Sequence, residues 1–469
     1  MLRTFVLFVS LVIAATAAPP KPAVTDKVQD KFVPAPYAAQ KIGGLLGDRM
    51  SINVQKRLLR IDERALLEGF EHRPGKHPWI GEHIGKYLHA GANAYLLTGN
   101  QQLKAQMERM ARALIATQLP DGYLGTYTDD QRWTSWDVWV HKYNLIGLLS
   151  YYEITGYQPA LDAARRVGDL LARTFGDRPG QRDIIASSTH VGMAATSVLE
   201  PMVNLYRYTG DAKHLEFCRY ILRAWEQPNG PKLISSLTSH GNVFKTANAK
   251  AYEMMSDLVG LVELYRLTGD EQYLRPAAAA WKDIAARRLY VTGTTSSHEH
   301  FQDEGSLRGE MGDDVGEGCA TVTWLQLTWQ LLRITGEPQY AQELERTVYN
   351  QLLAAQDASN GNICYFTPMD GRKNATAGIN CCVSSEPRGI SMIPALAWGR
   401  RGSGVAVVLY APGSLKTDVA TIESETDYPL TGAVKLKVTP GANGSRFPVY
   451  LRVPWWTKRY VAKVGGRHE

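Results

Sequence analysis

Three short stretches of this chain carry residue types that could do chemistry together: Glu317-Gly318-Cys319, the adjacent pair Cys381-Cys382, and Glu299 in SSHEHFQDEG. Three thiolates and one carboxylate fill a tetrahedral zinc shell, and sulfur-rich tetrahedral sites select zinc or iron–sulfur over magnesium or calcium. Glu317 and Cys319 stand where a Gly-rich loop, MGDDVG, runs into an apolar helical stretch. A cysteine at a helix N-terminus has its thiolate favoured by the dipole and by free backbone N–H groups. A site with one activated thiolate and one carboxyl group free of the metal, such as Glu299, holds the parts of a double displacement: sulfur attacks carbon and the acid protonates the leaving oxygen. Each piece alone has a plainer reading. Cys-Cys serves elsewhere as two small buried hydrophobes or a strained vicinal disulfide, and Glu299 as a solvated loop acid. Cys218, in LEFCRYIL, reads as helix core and Cys364, in NICYF, as strand or loop core.

These residues must be positioned by helices. A Thr-Gly pair recurs five times, in AYLLTGN, YYEITGY, LYRYTGD, LYRLTGD and LLRITGE, with its glycines at Gly99, Gly156, Gly210, Gly269 and Gly336. The gaps of 57, 54, 59 and 67 residues hold two helices plus a long connection each. Before Gly210, Val198, Met202, Leu205 and Tyr206 follow helical spacing. The glycine suits the left-handed position that ends a helix. Helical hairpins with long Trp- and Tyr-rich connections, such as 121–143, predict a mainly α chain built on an (α/α)6 barrel over 45–400; an open helical array is the other arrangement the repeat allows. After Trp398 the pattern changes to short β-branched runs, 405–410, 434–438 and 448–453, which predict a β-sandwich domain over 401–469. No return strand is expected after Val464-Gly465-Gly466, so the sandwich reads as partial and truncated.

The N-terminus predicts export. Arg3, the apolar run Phe5–Ala15 and Ala15-Thr16-Ala17-Ala18 form a signal peptide over 1–18, followed by a lead-in over 19–44. The expected destination is the periplasm or the outside of the cell, with no membrane attachment after cleavage. Five cysteines exclude full pairing, and free thiols in an exported protein invite oxidation unless a metal shields them. Cleavage removes only Arg3, so the net charge falls from +6 to +5 (6 − 1), too little and too dispersed for nucleic acid.

The order Glu299-His300-Phe301, then Glu317-Gly318-Cys319-Ala320, then Cys381-Cys382 resembles the zinc–cysteine glycoside hydrolases typified by bacterial β-L-arabinofuranosidase, glycoside hydrolase family 127 and its relatives. The resemblance runs from about residue 45 into the β-domain. It implies an (α/α)6 barrel with β-sandwich material, a carbohydrate substrate, and retention of configuration. By motif, Cys381 matches the nucleophile that forms a thioglycosyl intermediate, Glu299 the acid/base, and Glu317, Cys319, Cys381 and Cys382 the Zn2+ ligands. The family's arabinofuranosidases also place histidines on barrel helices. Trp136, Ala195 and Lys250 stand near those places here, while His83, His141, His190 and His240 lie elsewhere, and the Glu299–Glu317 gap is slightly longer. The sugar could therefore differ from arabinose.

Trp79, Glu82, Trp136, Asp137 and Lys250 are the expected sugar contacts, because WIGEHIGK and WTSWDVW combine aromatic faces with carboxylates. Two other functions stay open on the residues alone. One is a barrel polysaccharide lyase or uronide hydrolase with structural cysteines. The other is a non-catalytic glycan-binding protein stapled by zinc.

Overall fold

Each Thr-Gly pair ends a helix. Gly99, Gly156, Gly210, Gly269 and Gly336 adopt left-handed φ angles between 62° and 73° and close Glu82–Thr98, Asp137–Thr155, Leu199–Thr209, Ala251–Thr268 and Gly318–Thr335. A sixth helix, Cys381–Ala397, runs straight into a strand instead. This computed structural model describes residues 20–307, 314–441, 446–465 and 467–468, so the signal peptide expected over 1–18 lies outside the described residues.

The six helices follow one another around a ring, and the sixth packs back on the first. They form the inner wall of an (α/α)6 barrel. Outer helices, including Gln101–Ala116, Gln158–Thr174, Ala212–Trp225, Glu271–Arg287 and Pro338–Thr347, fill the places between. Position explains composition. Asp137 to Leu149 on the second inner helix are all buried, since that helix touches both neighbours and the outer layer. Gln158–Thr174 instead buries Leu161, Ala164, Val167 and Leu171 on one face and leaves Arg165 and Arg166 in solvent. The first two inner helices approach so closely that a Cβ on Gly85 would lie 2.0 Å from the Tyr143 carbonyl oxygen.

The lead-in is a strap across the C-terminal end of this ring. The N–H groups of Val24, Val28 and Lys31 bond to the carbonyls of Arg207 (3.0 Å), Arg266 (3.0 Å) and Arg333 (2.7 Å). Those arginines occupy one repeat position, three residues before Gly210, Gly269 and Gly336. Their side chains are tied as well: Asp26 binds Arg207 at 2.8 Å, and Asp30 binds Arg266 at 3.1 Å and Arg333 at 2.7 Å. Glu263 bridges Arg207 and Arg266.

Two four-stranded sheets follow the barrel. One has the order β1 (Phe32–Pro34), β5 (Trp398–Arg401), β6 (Gly404–Val407), β10 (Val449–Leu451); the other β2 (Gln40–Ile42), β7 (Gly413–Lys416), β8 (Ala420–Thr426), β9 (Val434–Pro440). Ala420 and Ile422 on β8 are buried while Glu423 and Glu425 face water, the alternation a half-buried strand requires. Each sheet takes one strand from the lead-in, through β1 on β5 and β2 on β7. Three-residue strands are too short to show a period of two, which hides them in the sequence. The turn at Val464-Gly465 does have a return strand: β11 (Lys463–Val464) pairs with β12 (Arg467–His468). Strands β3 (Ile363–Cys364) and β4 (Ala375–Thr376) make a small hairpin ahead of the sixth inner helix.

Asp30→Ala should destabilise the fold by about 3 kcal/mol, because it strips the carboxylate from two largely buried guanidinium groups. Denaturant unfolding with an unchanged m-value checks this.

Candidate active site

The inner helices all start at the barrel face opposite the strap, and the chemically interesting residues lie at those starts. Glu82 opens the first helix, Trp136 precedes the second, Lys250 the fourth, Glu317 the fifth, and Cys381 opens the sixth. The connections into them hold strained backbone. Trp133, Ser135, His190, Val191, Ala247, Ala249, Ser296, His298 and Glu299 all have positive φ.

Glu317, Cys319, Cys381 and Cys382 converge, with one ligand atom from each lying within 4.8 Å of the others. Cys319 Sγ is 2.8 Å from Cys381 Sγ and 3.4 Å from Cys382 Sγ, and Cys382 Sγ is 4.0 Å from Glu317 Oε1. The Cys319 N–H points at Cys382 Sγ (3.3 Å), and Asn380 caps the sixth helix through the Val383 N–H. All five cysteines are unbridged; Cys218 and Cys364 are buried apart from the cluster.

The cluster fits a cation. Glu317 is 2% exposed and its Oε2 has no hydrogen-bond partner. Burial, then the charges of Glu299 and Cys381, push its carboxyl well above the usual range. The hydrogen bond with Cys319 pushes the Cys381 thiol up, and burial does the same to Cys382. Burial opposes ionisation of Cys319 too, but hydrogen bonds to Cys381 and Cys382 and the Lys86 charge bring it down to about 6. A divalent ion would favour ionisation of the whole set. Three sulfurs and one oxygen are a donor set for a thiophilic metal.

A cavity of about 100 Å³ opens above Cys381, whose side chain is only half-buried. Trp79, Glu82, Trp136, Lys250, Glu299 and Glu317 line it, together with Trp139, Tyr252, Glu253 and Tyr365. Trp79 and Trp136 meet edge to face with centroids 5.9 Å apart. Glu299 accepts from Tyr365 Oη at 2.8 Å and pairs with the Lys250 ammonium. Burial alone would raise its pKa, but Lys250 and then Tyr365 hold the carboxyl below its ordinary range. Burial keeps Glu253 up at about 7, so it offers a protonated acid near neutrality.

Asp137, expected as a sugar contact, is not among the residues lining the cavity: it is fully buried and accepts from Tyr123 Oη and the Trp133 N–H, each at 2.8 Å. As first residue of the second inner helix it points back into the loop it shapes. Glu82 lines the cavity, but Lys86 and Trp139 already engage its two oxygens. His141 is buried against the Asp137 carbonyl, and His83 is buried beside Glu82 and pushed down to about 3, chiefly by burial. His190 packs at the rim, 5.4 Å from the Trp136 ring. His240 ends the Leu233–His240 helix. Ala195 is buried in the short helix Met193–Thr196. Lys86, Trp139, Tyr252, Glu253 and Tyr365 were not foreseen. Lys86 and Trp139 lie inside the motifs already singled out, WIGEHIGK and WTSWDVW, whereas Tyr365 carries no pattern signal.

Comparison with known proteins shows the family. The profile described as β-L-arabinofuranosidase, GH127 catalytic domain, matches residues 41–395. The chain belongs to glycoside hydrolase family 127. The profile of the family's middle domain matches 404–469. A non-reducing end β-L-arabinofuranosidase of Bifidobacterium longum subsp. longum is 24% identical over 440 residues, covering 82% of this chain and 66% of its own length. A solved GH127 β-arabinofuranosidase is 21% identical with a TM-score of 0.78, covering 94% of this chain and 77% of that one. The GH127 β-L-arabinofuranosidase of Geobacillus stearothermophilus T6 superposes with a TM-score of 0.76 at 18% identity, covering 92% and 77%. Among the described residues no helix is long and apolar enough to cross a membrane.

Asp137→Ala should cost about 1–3 kcal/mol of stability through the two orphaned donors. KM for any glycoside turned over should stay within about twofold, since burial keeps Asp137 out of the sugar's reach. Melting and steady-state kinetics on the same preparation separate these effects.

Proposed function

We propose that this chain is a retaining glycoside hydrolase that releases β-L-arabinofuranose or a related sugar from glycans, with Cys381 as nucleophile and Glu299 as acid/base. The observation that carries the reading is one cavity bounded by both groups, with the half-buried Cys381 sulfur at its floor and Glu299 in its wall. Zn2+ held by Glu317, Cys319, Cys381 and Cys382 would supply the charge that keeps these thiols ionised and shielded from oxidation.

The chain's own groups then divide the work. The Cys381 sulfur attacks the anomeric carbon, the glycosidic C–O bond breaks, and the leaving oxygen takes its proton from Glu299. In the second displacement water attacks the same carbon and gives a proton to Glu299, while the C–S bond breaks and its electron pair returns to sulfur. Two inversions retain configuration, with a thiolate in place of the usual second carboxylate. The tryptophans Trp79, Trp136 and Trp139 offer apolar faces to the sugar ring. Lys250 stands near a place where the family resemblance implies a histidine, which supports a different pattern of hydroxyl contacts. The apolar run Phe5–Ala15 supports a site of action outside the cytoplasm. A lyase or binding-only role would use the cysteines as a structural staple and leave Glu299, lining the same cavity as Cys381, without a chemical task.

Cys381→Ala should abolish turnover of aryl β-L-arabinofuranosides, and NMR of the wild-type reaction should show the retained anomer first. An active alanine variant, or first-formed inverted sugar, would sink the reading. The ion pair also sets a pH dependence. Lys250 lowers the pKa of Glu299, and the first displacement needs Glu299 protonated, so activity falls as pH rises through that pKa. Removing the ammonium raises the pKa. Lys250→Met should therefore move the alkaline limb of kcat/KM to higher pH, measured with a poor leaving group, whatever it does to the maximum.

A further inference from the structure

Lys86 stands one turn into the first inner helix with none of its surface exposed. Its ammonium lies 3.6 Å from Cys381 Sγ and 3.9 Å from Cys319 Sγ. It also donates to the Cys381 carbonyl oxygen at 3.2 Å and to Glu82 Oε1 at 2.7 Å. The rings of Tyr143 and Tyr252 sit 4.8 and 5.4 Å from the nitrogen. A flexible side chain has been fixed at considerable entropic cost, and an ammonium has been moved from water into the barrel. Glu82 alone would neutralise it. Instead the nitrogen is placed between that carboxylate and two sulfurs.

Charge explains the placement. Fully ionised, the three sulfurs and the carboxylate would bear four negative charges, of which a bound divalent ion would cancel two. Other basic groups nearby face elsewhere: Lys250 pairs with Glu299, Arg388 donates to His89 and Tyr143, and Lys142 lies over the Trp139 and Tyr143 rings. Among the described residues Lys86 is the cation in hydrogen-bond contact with the cluster's sulfurs.

We propose that Lys86 is a positioning residue for the nucleophile: its ammonium balances thiolate charge the metal leaves uncancelled, holds the Cys381 sulfur at the cavity floor, and receives that charge again when the C–S bond breaks. The last part rests on the double-displacement reading; the effect on metal retention does not. During attack the sulfur electron pair enters the C–S bond and the leaving oxygen takes the Glu299 proton. On hydrolysis that pair returns to a sulfur still facing Lys86.

The test uses the full chain loaded with zinc and compares wild type, Lys86→Met and Lys86→Arg. Zinc release to a chromogenic chelator should be about tenfold or more faster in Lys86→Met and largely restored in Lys86→Arg. With a good leaving group, where the second displacement limits turnover, kcat should fall about tenfold in Lys86→Met with little change in KM. Circular dichroism and melting establish that the variants fold. If Lys86→Met does not, Lys86→Gln keeps a donor for Glu82 without the charge and serves in its place. Unchanged zinc release in the neutral variant, or equal losses in folded Met and Arg variants, would overturn the proposal. Faster zinc release in a protein that hydrolyses no glycoside would support Lys86's part and overturn the double-displacement reading instead.

Discussion

Helix N-termini converge on one small cavity, and the rest of the molecule is arranged around that convergence. A buried set of thiols and carboxyl groups is costly unless positive potential reaches it. Helix starts supply it as partial charges on unpaired N–H groups, without adding a titratable group. Five of the six inner helices place a cavity or cluster residue at such a start. The opposite ends carry the complementary arrangement. Repeat arginines lie beside the helix C-termini, and the strap's N–H groups occupy carbonyls there.

The repeat was legible because its marker is a backbone requirement: a residue that must take a left-handed turn is usually glycine, whatever surrounds it. The candidate metal cluster was legible because cysteine is rare here, five in all, and three of the five fall at helix starts. What stayed hidden depends on three-dimensional neighbours. Asp137 and Glu82 look equivalent in sequence, each acidic beside tryptophan at a helix start, yet Asp137 turns toward Tyr123 and Glu82 toward Lys86. Tyr365 reaches Glu299 across 66 positions, and no local pattern encodes that contact. Strands β1 and β2 were invisible for a similar reason, since their pairing partners lie more than 350 positions away.

Lys250 and Lys86 each favour the ionised form of the group they face, Glu299 and the clustered sulfurs. Lys250 favours the ionised form of Glu299, which suits taking a proton from water but opposes giving one to a leaving group. On the proposed double displacement Glu299 must hold a proton before the first step, so loosening of the Lys250–Glu299 pair would favour that step. Lys86 is enclosed by Glu82, aromatic rings and sulfur and has no comparable exchange to make.

The seam where the barrel closes runs through the reactive cluster. Lys86 belongs to the first inner helix and Cys381 to the last, 295 positions apart. A ribosome delivers the first cage residue long before the sulfur it faces, and the strap waits for partners at Arg207, Arg266 and Arg333. The four clustered side chains cannot meet until the sixth helix emerges and docks. On the proposed reading, cation capture would mark completion of the ring, and a chain stopped before residue 381 would have one thiol and one carboxylate of the four groups.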